Sequence, residues 1–266
     1  MITRIFRWIL FSLFLVFMIF PLFASLRFSV NWPKFTLQYY QDVFTDNLMW
    51  SSMWRSVQLA VGVVTISLVL IVLAAYWTST RWPGARVALN FLSILPFVMP
   101  GVILVMALIR VYSQVSAVLH ISIVKTPLML IFATSVGTFP YMYRAIDNAF
   151  RAIDVRNLTE AASSLGASPL FTLRRVIFPN VFPGILAGSL LAVSGIFGEF
   201  TVANLLTGQG FMTFPVYVRW KGFMTARLGT TLAVFSFVLT VLLALTITVI
   251  TRKWSRAGEQ RVVKTN

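Results

Sequence analysis

Residues 56–77 read SVQLAVGVVTISLVLIVLAAYW. No Lys, Arg, Asp or Glu interrupts them. As a helix the run is about 33 Å long, close to the thickness of a bilayer's hydrocarbon core. Backbone polar groups cannot be left unpaired in lipid, so a spanning segment is a helix or part of a closed barrel. A barrel would show short alternating strands, and none is evident. The run therefore predicts a transmembrane helix.

Five further stretches satisfy the same requirement: 5–26, 88–112, 127–143, 181–206 and 230–250. The stretch 127–143 is the weakest, because Gly137 and Pro140 interrupt it. The first follows Arg4 and Arg7 and resembles a signal peptide. Its apolar run is too long for an h-region, however, and no small-x-small cleavage site follows, so it reads as a retained span. The expected fold class is all-α: one polytopic transmembrane domain over 1–266 with six helices.

Composition agrees. Hydrophobic residues make up 58% of the chain and charged residues 11%, against about 25% charged in a soluble domain. The net charge of +15 does not point to nucleic acid, because the basic residues form no stripe or aromatic-interleaved patch. They sit between the apolar runs, where they act as orientation signals. With the N-terminus in the cytoplasm, 14 of the 22 Lys and Arg fall inside, so both termini are expected to be cytoplasmic. Cysteine is absent and His120 is the single histidine, which leaves no thiol chemistry and no His-rich metal site.

Between the runs lie three longer segments. The outer segment 27–55 carries Trp32, Tyr39, Tyr40, Trp50 and Trp54, which suit the headgroup level. The outer segment 207–229, with Gly208, Gly210, Pro215 and Gly222, is expected to form a re-entrant or interfacial hairpin. The tail after Thr251 is basic and is expected to be partly disordered.

The cytoplasmic loop 144–180 is the most informative. It predicts two short helices. Asn157 or Thr159 caps the first, with Glu160 in its first turn and Ala161, Ala162 and Leu165 on an apolar side. Gly166 ends it; Ser168 caps the second, and Pro169 starts it. Arg174 and Arg175 face the end of that second helix, and Pro179 and Pro183 mark entry to the fifth span. Such a helix-turn-helix suits docking on a soluble partner.

Here the sequence resembles a known family. Glu160-Ala161-Ala162, Gly166 four residues on and Pro179 thirteen beyond that are similar to the EAA motif of binding-protein-dependent ABC importer permeases. Val176 and Phe178 stand where that family usually has Ile and Leu, and Leu165-Gly166-Ala167-Ser168 matches its usual wording. Leu95-Pro96 with Pro100-Gly101, and Phe35-Thr36-Leu37 with Tyr40, agree more weakly, and Arg55-Ser56 replaces a common Asn-Ser. Within the family the chain most resembles the second permease of spermidine/putrescine-type systems, a branch that includes 2-aminoethylphosphonate, ferric ion and thiamine importers.

The resemblance implies the type I importer (MetI-like) fold in the inner membrane. It implies a coupling loop made of Glu160, Ala161, Ala162, Leu165, Gly166, Ala167, Ser168 and Pro179. It also implies a cytoplasmic ATPase dimer, a second and different permease chain, and an extracytoplasmic solute-binding protein. The chain carries no G-x-x-x-x-G-K-[S/T] of its own. It is thus expected to be no enzyme and to hold no cofactor, with ATP and Mg on the partner. The expected cargo is a small polyamine-like or 2-aminoethylphosphonate-like solute.

Pathway candidates are Glu199, Asn204 and Pro100. A carboxylate inside a span is costly and faces protein or water. Glu199 reads either as a contact for a cationic solute or as a structural group, paired or protonated. Pro96, Pro100 and Gly101 either break the third span, freeing carbonyls to line a cavity, or merely kink it. Gly184, Gly188 and Gly195 favour close helix contact. A secondary transporter or channel is the alternative function. A membrane enzyme would need a cluster of nucleophile, base or metal ligands, and none is present.

Overall fold

The computed structural model describes residues 2–120 and 125–263, and within them every regular element is helical. In chain order these are α1 (Ile2–Ser29), α2 (Gln38–Phe44), α3 (Asn47–Thr80), α4 (Ala85–Val98), α5 (Gly101–Leu119) and α6 (Pro127–Arg151). There follow α7 (Val155–Ser164), α8 (Pro169–Thr172), a π-helical turn (Leu173–Ile177), α9 (Phe178–Ile196), α10 (Thr201–Leu206), α11 (Phe214–Met224) and α12 (Ala226–Val263).

Among the described residues, five helical runs are long and apolar enough to cross a membrane: Phe6–Ser29, Asn47–Thr80, Gly101–Val118, Pro169–Ile196 and Ala226–Thr246; Ala85–Val98 is a shorter apolar helix. α6 matches the expected fourth span in position but is absent from that set. It is long enough, yet it carries Thr134, Thr138, Arg144, Asp147 and Arg151. It tolerates them because it lies between α3 and α9, with Met129, Ala133, Met142, Tyr143, Ile146 and Phe150 buried along it.

The structure moves several expected boundaries. α3 starts at Asn47 rather than at 56, because Asp46 caps it: its Oδ1 accepts the Leu48 N–H at 2.9 Å. Trp50, Trp54, Arg55 and Ser56 are therefore helical. The third span, expected as one helix over 88–112, is two. Met99 is extended (φ −88°, ψ 125°) and Pro100 follows at φ −55°, ψ 133°. Pro100 brings no N–H and disfavours the α conformation in Met99, which ends α4 there.

The fifth span, expected over 181–206, is also broken. α9 closes in tight turns, with Gly198 N–H on Gly195 O at 3.0 Å and Glu199 N–H on Ile196 O at 3.2 Å, before α10 begins. At its other end it joins the π turn and α8 without a gap. α6 in turn runs to Arg151, because Ile146 and Phe150 continue its buried face. Only 152–168 is thus left as a segment between long helical runs, rather than 144–180. The tail, expected to be partly disordered, is helical to Val263.

α6 and α9 approach closely. A Cβ built on Gly184 would overlap the Ala149 Cβ and come within 2.9 Å of the Ala145 carbonyl oxygen, and one on Gly188 would lie 3.2 Å from the Ala145 Cβ. Glycine is what lets these backbones meet; a Cβ on Gly195 meets nothing within 4 Å. Around this pair sit two apolar cores. One, toward α7, joins Ile71 and Ala75 of α3 to Tyr143, Ile146, Phe150, Val155 and Ile177. The other, toward α11, joins Met49 and Leu59 to Met129, Ile196, Phe214 and Tyr217. α1 exposes nearly all its large side chains, as a helix bordered by lipid does.

Candidate coupling segment and pathway

The residue that caps α7 is Asp154, not Asn157 or Thr159. Its Oδ1 accepts the Asn157 N–H at 3.1 Å. With the helix starting at Val155, Glu160 lies in the second turn rather than the first. There it pairs with Arg156 one turn back, Nε to Oε1 at 2.8 Å, and both side chains are well exposed. The hydrogen bond to Glu160, followed by the charge itself, raises the Arg156 guanidinium pKa.

α7 ends in a Schellman turn. Gly166 N–H donates to Ser163 O at 2.9 Å, and Ala167 N–H donates to Ala162 O at 3.0 Å. Gly166 stands at φ +80°, the left-handed region that glycine enters without a Cβ penalty. Ser168 then caps α8, its Oγ accepting the Phe171 N–H at 3.3 Å, with Pro169 in the first turn. Pro179 lies in the first turn of α9, directly after the π turn, where Phe178 N–H bonds back to Leu173 O.

The eight candidate coupling residues thus fall on one connected surface feature, Pro179 at its far end. Glu160, Ala161, Gly166, Ser168 and Pro179 are exposed, and Ala162 and Ala167 are half-buried. Three large apolar side chains stand out from it: Leu165 (89% exposed), Leu170 (73%) and Phe171 (55%). A hollow of about 600 Å³ separates α7 and α8 from the end of α3, lined among others by Tyr76, Trp77, Arg81, Arg156, Glu160 and Ser163.

The pathway candidates lie at the helix breaks. Pro100 caps α5, and the Cβ position of its neighbour Gly101 is 4.0 Å from Thr201 Cγ2 at the start of α10. The break in the third span therefore faces the break in the fifth. Glu199 lies in that second break, half-buried, and its Oε1 accepts the Val202 N–H at 2.8 Å. Its hydrogen-bond partner is the first turn of α10 rather than a neighbouring helix. Asn204 is exposed on α10.

Two ionic clusters escaped the sequence reading. At the α11 end, Asp46 Oδ2 accepts from Tyr217 Oη at 2.9 Å and pairs with Lys221 Nζ at 2.8 Å, while Ser56 Oγ accepts the Phe214 N–H at 2.8 Å. Burial acts to raise the Asp46 carboxyl, but Lys221, the Leu48 N–H and the Tyr217 hydroxyl together hold it below its ordinary value. Burial, then the Asp46 carboxylate, push the Tyr217 hydroxyl well up. These contacts fasten α11, the helix that occupies the expected hairpin segment 207–229, to the start of α3. At the α7 end, Asp147 binds Arg86 and Arg151, each at 2.9 Å. The i, i+4 spacing of Asp147 and Arg151 was visible in the sequence; Arg86, on another helix, was not.

Residues 67–264 match the family described as the binding-protein-dependent transport system inner membrane component. A putrescine transport system permease protein, PotI, of Escherichia coli is 26% identical over 209 residues, 78% of this chain and 72% of that one. A spermidine/putrescine transport system permease protein, PotB, of Haemophilus influenzae is 31% identical over 225 residues, 80% and 77% of the two chains. Among solved structures, a bacterial ABC transporter involved in import of the acidic polysaccharide alginate superposes with a TM-score of 0.70, at 18% identity over 95% of this chain and 96% of that one. The MetNI methionine ABC transporter in an inward-facing conformation gives 0.56, at 19% identity over 77% and 93%. These two show the shared fold.

Proposed function

The chain belongs to the binding-protein-dependent transport system inner membrane component family, and from that premise we propose how its parts serve import. It is a multi-pass inner-membrane permease component of an ABC importer and not an enzyme; ATP hydrolysis resides on a separate subunit. A secondary transporter or channel is set aside by that membership.

In the proposed assembly, the whole of 1–266 is one transmembrane domain with cytoplasmic termini, α6 supplying the least apolar span. The segment from Val155 to Thr172 seats in a cytoplasmic ATPase dimer, which binds ATP and Mg. A second, different permease chain completes the pathway, and an external binding protein delivers the solute. The observation that carries this reading is the exposed apolar triad Leu165, Leu170 and Phe171 around the left-handed Gly166 turn. Apolar side chains displayed on an otherwise polar loop signal a partner surface.

We further propose a polyamine-like cation as cargo, ahead of a 2-aminoethylphosphonate-like solute. Two observations support it: the named relatives are putrescine and spermidine/putrescine permeases, and the acid at the facing helix breaks is Glu199. In this reading Glu199 is the solute's charge contact. The test is uptake of labelled putrescine and spermidine by the complex reconstituted with its ATPase and binding protein. Glu199→Gln keeps an oxygen for the Val202 N–H and removes the charge. A charge-assisted hydrogen bond contributes about 1.5–3 kcal/mol, so uptake efficiency should fall at least tenfold with assembly intact. Normal uptake kinetics in that variant would reduce Glu199 to a helix cap.

A further inference from the structure

Asp147 is a buried acid that neither the coupling surface nor the pathway uses. It is 3% exposed. Each of its oxygens is taken by a different arginine: Oδ1 accepts Arg86 Nε and Oδ2 accepts Arg151 Nε, both at 2.9 Å. Arg86 also donates through its terminal Nη2 to Ser79 Oγ at 3.0 Å. The end of α3, the first turn of α4 and the last turns of α6 therefore converge on one carboxylate.

The helices it joins differ in how firmly they are held. The end of α6 is built into the core that includes α7 and the π turn, through Tyr143, Ile146 and Phe150 against Val155 and Ile177. α4 has little of this. Ser93 is its one buried residue, Leu89 packs half-buried against that core, and Phe97 touches Tyr141 edge-on with centroids 5.1 Å apart. Yet α4 leads directly into the Met99–Pro100 break, beyond which Gly101 faces Thr201. α4 is thus a half-helix with one end at the candidate pathway and the other fastened to the coupling body by the Arg86–Asp147 pair.

We propose that Asp147, with Arg86, is the positioning pair that makes α4 move with the α7–α8 segment, carrying displacement at the ATPase dock to the break at Met99–Pro100. The inference rests on the importer reading above. Packed helix faces slide past one another in shear motions. A short charge-assisted hydrogen bond is directional, and the Asp147 carboxylate holds one on each oxygen. It therefore holds register where the sparse apolar contacts of α4 do not.

The experiment uses the full complex in vesicles and the cysteine-free chain. Spin labels go on introduced cysteines at Val87 of α4 and Ser163 of α7, both exposed. In the parent chain the distance between them should be the same without nucleotide and with ATP trapped. In Asp147→Asn and in Arg86→Gln it should change with nucleotide, and solute moved per ATP hydrolysed should fall roughly tenfold, within the usual range for coupling between sites. Hydrolysis itself should persist, and Asp147→Glu should restore part of the ratio.

A parent distance that shifts with nucleotide, or an unchanged transport-to-hydrolysis ratio in both variants, overturns the proposal. So does parallel loss of assembly and hydrolysis in both, which leaves a stabilising role only. If the parent complex moves no polyamine, the cargo reading fails instead, and the distances still report on the pair.

Discussion

Gly166→Val is the perturbation that most sharply separates a rigid coupling turn from a passive connector. Gly166 sits at φ +80°. A Cβ there meets no heavy atom within 4 Å, so the chain itself has room for a side chain. The cost is conformational. An ordinary L residue in the left-handed region loses about 1–2 kcal/mol, and a β-branched one is a stronger outlier. Escape from that conformation gives up the two Schellman hydrogen bonds at 2.9 and 3.0 Å, each contributing about 0.5–1.5 kcal/mol. The conformational cost alone lowers the population of the native turn by roughly 5–30-fold. The penalty stays local, because α7 and α8 bury only Val155 and Thr172, and the spans should insert normally. The assay is copurification of the ATPase subunit, then ATP hydrolysis in vesicles with loaded binding protein. Asn tolerates the left-handed region, so Gly166→Asn should retain most activity, Gly166→Ala less and Gly166→Val least. Full assembly and hydrolysis in the Val variant would refute the coupling role. An Asn variant as poor as Val would shift the cause from backbone strain to bulk at the dock.

Further outcomes are checkable by simpler means. Gly184→Val should separate α6 from α9, because even a Cβ at that position collides with Ala149 and the Ala145 carbonyl; the expected result is a lower melting temperature in detergent, and an unchanged one would show that the contact yields. The Asp46 carboxyl is held below its ordinary value, so its contribution to anchoring α11 is complete above about pH 4 and is lost as pH falls through the lowered value. A spin label at Phe223 should gain mobility on that acid side in the parent chain and already at neutral pH in Asp46→Asn; equal mobility throughout would remove Asp46 from the anchor. For orientation, single cysteines at Ser163 and Gln41 should label from inside and outside respectively in intact cells, and the reverse pattern would invert the topology.

How far the sequence could be read follows from what each signal measures. Hydropathy measures the cost of placing side chains in lipid, so it found α1, α3 and α12. It also placed α6, as the weakest span because of Gly137 and Pro140, but stopped it at 143, short of the last turns where Asp147 and Arg151 pair and Arg86 closes the cluster from another helix. Capping chemistry is local, and Ser168, Pro169 and Gly166 were legible from neighbours in the chain. Asp154 was passed over because Asn157 and Thr159 offered competing caps two turns from Gly166. The choice among them depended on where Val155 tucks into the core below.

The broken spans show the same limit from the other side. Apolar side chains run through both breaks, so no windowed average registers them. In the third span Pro100 offered a clue, because a proline without an N–H either kinks a helix or ends it; which of the two occurs depends on what receives the freed carbonyls. In the fifth span no proline stands between Phe197 and Thr201. The break there is stabilised by Glu199, whose carboxylate accepts the Val202 N–H at the start of α10. The acid that looked out of place in an apolar run is what lets the run stop being a helix. That assignment also sharpens the functional question. A group already hydrogen-bonded to a helix start can exchange that bond for a cationic solute only if α10 tolerates the loss. Solute binding and the geometry of the fifth-span break should therefore change together.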